Sequence, residues 1–152
     1  CERAARELNL RALRDCGPED LPDALPRLPE ELRPLVRHIV TENARVSATV
    51  TELRESRIPA IGPLLNASHA SLRDDFQVSC LELNIAVDSA LEAGALGARM
   101  TGGGFGGSAI ALVRSSTRDE VEHNVRKGFA EHSLPTPRLF SALPSAGAGR
   151  DL

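Results

Sequence analysis

The chain has 152 residues, of which 41% are hydrophobic and 26% charged, with a formal net charge of −3, four Phe, and neither Tyr nor Trp. That is about one domain's worth of chain, enough to bury a core, and the core must be built from Leu, Val, Ile and Ala. The acidic balance argues against a general nucleic-acid binder, and no apolar run approaches the roughly 18 residues of a membrane span.

The chain opens at Cys1 inside a helical pattern with no cap before it, which reads as a piece of something longer. Charges run through residues 1–15, unlike a secretory signal. Residues 2–15 are predicted as one helix, ended by Gly17-Pro18. Pro22, Pro26 and Pro29 punctuate a connecting stretch. A long helix is expected from Glu30 to Arg57, with Leu32, Val36, Ile39, Val40, Val46, Val50 and Leu53 at three- and four-residue spacing. A shorter helix carries Ile61, Leu64, Leu65, Ser68 and Leu72 on one face, and Asp74-Asp75 closes it. Ser79 and Glu82 have the spacing of a capping box, and the helix they open should stop at Ala93, where Gly94 supplies a left-handed position. Strands are predicted near Ala98–Thr101 and Ser108–Arg114. A second capping box, Thr117 with Glu120, opens a helix to about His132, and Pro135 and Pro137 precede a last strand from Arg138 to Ala142. This order predicts an α+β fold with helices on one face of an antiparallel, ferredoxin-like sheet. Residues 1–144 are expected to form the domain and residues 145–152 a flexible tail.

Between the two central strands lies Thr101-Gly102-Gly103-Gly104-Phe105-Gly106-Gly107. Glycine costs roughly 0.5–1 kcal/mol relative to alanine in regular structure, so such a cluster implies backbone at positive φ or in close approach to another group. Exposed N–H groups in such a loop suit anions, phosphate above all. The spacing satisfies G-x-G-x-x-G, but a dinucleotide fingerprint follows a strand and opens a helix. Here the apolar run Ser108–Val113 reads as a strand, and no Gly-Lys-Ser/Thr follows to make a Walker A loop. On residues alone, a glycine-rich hairpin without a ligand remains the competing account. Cys1, Cys16 and Cys80 have neither disulfide-framework nor metal-ligand spacing and read as reduced thiols, with Cys80 packed as a small hydrophobe. His38, His69, His123 and His132 read as surface or helix-packing residues. Adjacent Asp74 and Asp75 do not share a helix face and read as helix-end polarity. Arg73 and Arg99 are open between facing phosphate and forming ordinary ion pairs.

Several motifs in order carry a resemblance. His38–Val46, Ser68–Asp75, Val78–Cys80 and Gly97–Gly107 together resemble the C-terminal part of the galactokinases, a branch of the GHMP kinases. Ser108 stands where many members carry Cys, and Leu81 where many carry Pro. The resemblance implies ATP-dependent phosphorylation of galactose to galactose 1-phosphate by a cytoplasmic enzyme. It places Thr101, Gly102, Gly103, Gly104, Phe105, Gly106 and Gly107 against the nucleotide phosphates at a domain interface. It also implies that the catalytic carboxylate, the phosphate cradle, the sugar contacts and the Mg²⁺ ligands lie in an N-terminal half whose patterns are not in this chain. No catalytic residue and no metal ligand is therefore expected here, nor any nucleic-acid or membrane partner, and the chain alone should be inactive. A non-catalytic, galactokinase-like sensing or interaction domain is the alternative. At Gly104 a valine is expected to harm function before folding.

Overall fold

A computed structural model describes residues 1–143 and 147. The tail expected from residue 145 lies outside the described residues apart from Gly147. Among the described residues there are six α-helices, short 3-10 turns and one two-stranded antiparallel sheet. Helix α1 spans Glu2–Glu7, well short of the predicted end. Asn9 takes φ 58°, its N–H reaches the Arg6 carbonyl at 3.0 Å, and the Leu10 N–H reaches that of Ala5 at 2.8 Å. These bonds form a Schellman stop, and a 3-10 turn at Leu13–Asp15 replaces the missing helix.

Helix α2, Leu21–Ala24, is a single turn within the proline-punctuated stretch. Helix α3, Arg33–Arg54, is the predicted long helix, trimmed to a 3-10 turn at Glu30–Leu32 and ended by Ser56 at φ 57°. Helix α4 spans Ile61–Asp74 and helix α5 Leu81–Glu92, with Gly94 at φ 88° closing α5 as expected. Strands β1, Gly97–Thr101, and β2, Ser108–Leu112, form the hairpin, and α6 is Arg118–Glu131.

Neither predicted capping box forms. The N-cap of α5 is Cys80, one residue past Ser79, and the Ser79 hydroxyl donates to Asn84 Oδ1 at 2.7 Å. Thr117 does cap α6 by position, but its hydroxyl donates back to the Arg114 carbonyl at 3.2 Å. The last strand is not formed either. Residues 138–142 join no ladder, Pro135 and Pro137 carry no N–H, and Phe140 is 79% exposed while Leu139 rests on the helices. A short apolar run makes no strand without a neighbour to pair with.

One apolar cluster joins α1 and the following turns to Val36 and Val40 of α3. A second joins Ile85, Val87 and Ala90 of α5 to Ala98 of β1 and to Val121, Val125 and Phe129 of α6. Met100, Leu72 and Leu83 form a third, nearest the glycine loop. In the hairpin Ala98 pairs with Ala111 and Met100 with Ala109. Ala98 and Met100 are 1% and 0% exposed, whereas Ile110, on the opposite face, is 49% exposed. Helices thus cover one face of the sheet, as the α+β expectation required.

The outer edge of β1 is closed by α4. A Cβ on Gly62 would collide with the Leu96 carbonyl, and one on Gly97 with the backbone of Gly62. This contact brings Asn66 and His69, one and two turns further along α4, onto the strand edge. Asn66 Oδ1 accepts the Ala98 N–H at 2.9 Å, and His69 Nδ1 accepts the Met100 N–H at 3.2 Å. Overpacking a rigid contact costs typically ~1–3 kcal/mol. Gly62→Ala and Gly97→Ala are each expected to lower stability in urea melts by at least that amount, and an unchanged midpoint would mean the two backbones are not held in contact.

Candidate functional site

Thr101 and Ser108 are register partners, so the six residues 102–107 form the hairpin loop. Gly102, Gly104, Gly106 and Gly107 take φ of 89°, 87°, 127° and 95°, and Phe105 takes 58°. Gly103 lies outside that left-handed region. The loop is pinned in its middle, where the Phe105 N–H donates to the Val78 carbonyl at 2.7 Å. Among the described residues, Phe105 is the only residue of the loop whose N–H reaches a protein acceptor. The five glycine N–H groups remain as unspent donors. Around Gly102, Gly103, Gly106 and Gly107, among the described residues, no atom beyond the glycine and its two chain neighbours lies within 4 Å of where a Cβ would sit. Gly104 differs, because a Cβ there would strike the Val78 carbonyl and side chain. The expectation for Gly104 is therefore corrected: a valine there breaks the packing that shapes the loop. The Phe105 side chain is 78% exposed beside this surface.

The charged residues nearby are mutually occupied. Glu42 of α3 accepts the Ser68 hydroxyl at 2.6 Å, Arg99 Nη1 at 3.1 Å and Arg45 Nε at 2.8 Å. Burial works against the Glu42 carboxylate, but the hydrogen bonds from Ser68 and Arg45 and the charges of Arg45 and Arg99 outweigh it and hold its pKa below the ordinary value. Arg99 also donates to the Met100 carbonyl at 2.8 Å, so its ion-pair account holds. Arg73 is held by Asp74, with contacts at 2.8 and 3.1 Å. Asp75 accepts Arg37 at 2.7 Å and Ser71 at 3.0 Å. Asp74 and Asp75 thus act apart, as helix-end polarity. Among the described residues no three His, Cys, Asp or Glu side chains gather as a metal site would need.

Two histidines are buried, which sequence spacing did not distinguish from the other two. His38 Nδ1 lies 3.0 Å from Ser71 Oγ, and its ring stacks on Phe76 with centroids 4.6 Å apart. Because Ser71 gives its one proton to Asp75, His38 must donate to Ser71 through Nδ1–H. The hydroxyl therefore faces away from the ring as a donor, and this Ser-His-Asp chain is built for packing rather than for attack. The sequence reading missed Val78, Asn66, His69 and Glu42 as supports of the loop. The repeat Gly62, Asn66, His69 along one side of α4 was the available signal.

With this geometry in view, the relatives fit. Residues 49–131 match the family model for the C-terminal part of GHMP kinases, and the chain belongs to that family. Across 99% of its length it is 55% identical to a galactokinase of Streptomyces coelicolor, of which it spans 39%. Its fold matches the galactokinase of Lactococcus lactis, solved with galactose, at a TM-score of 0.81 and 36% identity, over 86% of this chain and 36% of that one. A mevalonate kinase of L. major, solved with R-mevalonate, matches at 0.55 and 29% identity, over 84% of this chain and 34% of that one.

Burial pushes the pKa of both His38 and His69 below the ordinary value, because desolvation disfavours the imidazolium. The unfolded chain then binds protons that the folded one refuses. Stability is full above the ordinary histidine pKa of about 6.5 and falls as pH drops below it. Glu42, with its pKa lowered, loses its contribution only at still lower pH. Urea midpoints are expected to decline between about pH 7.5 and about pH 5.5, and less steeply in His38→Asn; a flat wild-type profile contradicts the burial of neutral rings.

Proposed function

We propose that residues 1–144 are the C-terminal domain of a galactokinase, and that Thr101, Gly102, Gly103, Gly104, Phe105, Gly106 and Gly107 form the loop that faces the phosphates. The whole enzyme would transfer the terminal phosphoryl group of ATP to galactose, giving galactose 1-phosphate. One observation carries this reading. Among the described residues, the five glycine N–H groups of the loop have no protein acceptor, and four of the five glycines have open space where side chains would stand. Phosphoryl transfer consists mostly of positioning and electrostatic stabilisation, with charge spread over the equatorial oxygens. Backbone N–H groups fixed on a pinned loop donate to such oxygens without reorganising during the reaction.

This chain's contribution stops there. Mg²⁺ would neutralise phosphate charge when bound, but the two aspartates nearest in kind are each committed to an arginine. Its ligands, the catalytic base and the sugar contacts are assigned to the portion of the enzyme that these residues do not span. The likeness to both a galactose-bound and a mevalonate-bound kinase supports that division, since one domain shape accompanies two unlike acceptors. No helix of the described residues is long and apolar enough to cross a membrane. We assign the enzyme to the cytoplasm, acting on small molecules rather than on nucleic acid or lipid.

A chimera tests the assignment, with this chain replacing the matching segment of the Streptomyces coelicolor enzyme. It is expected to phosphorylate galactose with ATP, whereas residues 1–152 alone should show no turnover. Gly103→Val, which enters open space, should cut kcat by about tenfold or more with the melting temperature little changed. Gly104→Val should lower the melting temperature first. Normal turnover per folded molecule in Gly103→Val would remove the loop from the active site.

A further inference from the structure

His69 is only 2% exposed, and its two ring nitrogens have unequal fates. Nδ1 takes the Met100 N–H at 3.2 Å, so it must carry a lone pair, and the proton of the neutral ring sits on Nε2. Among the described residues Nε2 is buried and neither accepts nor donates a formed hydrogen bond. Asn84 of α5 faces the ring and favours its charged form; its Oδ1 accepts the Ser79 hydroxyl at 2.7 Å and keeps a second lone pair. Among the described residues, the hydrogen bond that the His69 ring does form is the one it accepts from the Met100 N–H. Met100 sits one residue before the strand end from which the loop departs, and its side chain is completely buried.

We propose that His69 is a positioning residue for the glycine loop, holding the end of β1 through Met100 while its ring is neutral and releasing it when the ring is protonated. A protonated ring would present an N–H to the Met100 N–H, and the bond would be lost. The groups facing the ring are Arg73 on its own helix, Asp88 and Asn84 on α5, and Arg99 on β1. The two arginines oppose protonation and Asp88 favours it, while burial opposes it most and places the release on the acid side of the ordinary histidine range. The consequence for catalysis rests on the phosphate-facing reading of the loop.

The test uses the chimeric whole enzyme. Asparagine can place its Oδ1 near the position of Nδ1 and does not titrate; leucine removes the acceptor. His69→Leu should speed amide exchange across residues 100–107 and lower kcat by about tenfold or more with the KM for galactose unchanged. His69→Asn should restore both. After correction for intrinsic rates, exchange of residues 100–107 in the wild type should rise between about pH 8 and about pH 5.5, and that rise should be absent in His69→Asn. This last comparison stands even if His69→Leu fails to fold. Exchange that is unaltered in His69→Leu, or that rises equally with acid in His69→Asn, overturns the proposal. Faster loop exchange with unchanged kcat leaves the positioning role intact and instead counts, with Gly103→Val, against the loop's place in the active site.

Discussion

The docking of α4 on the edge of β1 is the constraint from which the site follows. Two glycines, Gly62 and Gly97, let a helix backbone and a strand backbone touch. No side chain larger than hydrogen fits either position, so the distance is set by the main chain itself. Once it is set, Asn66 and His69 reach the N–H groups of Ala98 and Met100, which a free strand edge would leave to water or to another chain. The edge is closed by side-chain acceptors, and β1 cannot slide without breaking both bonds. The loop beyond Thr101 inherits that register at one end, the ladder to Ser108 at the other, and the Val78 carbonyl in the middle.

The electrostatics follow a similar economy. Arg99, Arg73 and Arg37 each stand close enough to a carboxylate to be held by it, and Glu42 gathers three donors onto one partly buried group. The loop itself has no charged side chain. What it offers to an anion is oriented backbone dipoles, which stay charge-neutral when no ligand is bound and need no deprotonation to act. A lysine in the same place would bring a mobile charge and a rotamer cost. Glycine backbone brings neither, at the expense of the conformational freedom lost in fixing it.

Much of this was legible from the residues, and the failures have physical causes. Helices α3, α4, α5 and α6 announced themselves by apolar spacing, and the hairpin by its glycines between two short apolar runs. Helix ends were read correctly where the left-handed residue is Gly94 and overrun where it is Asn9 or Ser56, since those residues tolerate positive φ without advertising it. The S-x-x-E spacing at Ser79 named a cap one residue early, because the Ser79 hydroxyl had Asn84 within reach. Residues 138–142 read as a strand after two prolines, yet a strand needs a neighbour to pair with. Within the loop, composition marked all five glycines alike. Only the position of Val78, distant in sequence, separates Gly104 from the rest.

That separation explains why a cluster so costly persists as a cluster. A single glycine would allow the close approach at Val78, but it would not bring the chain back to β2 in register with open backbone on both sides of the contact. Gly102 turns the chain out of β1, Gly104 and Phe105 seat it on Val78, and Gly106 and Gly107 return it to Ser108. Gly103 alone needs no left-handed conformation and meets no neighbour. Neither strain nor packing accounts for glycine at that position. What remains is the open space a side chain would occupy, and on the phosphate-facing reading we propose, that space is the one a ligand would need.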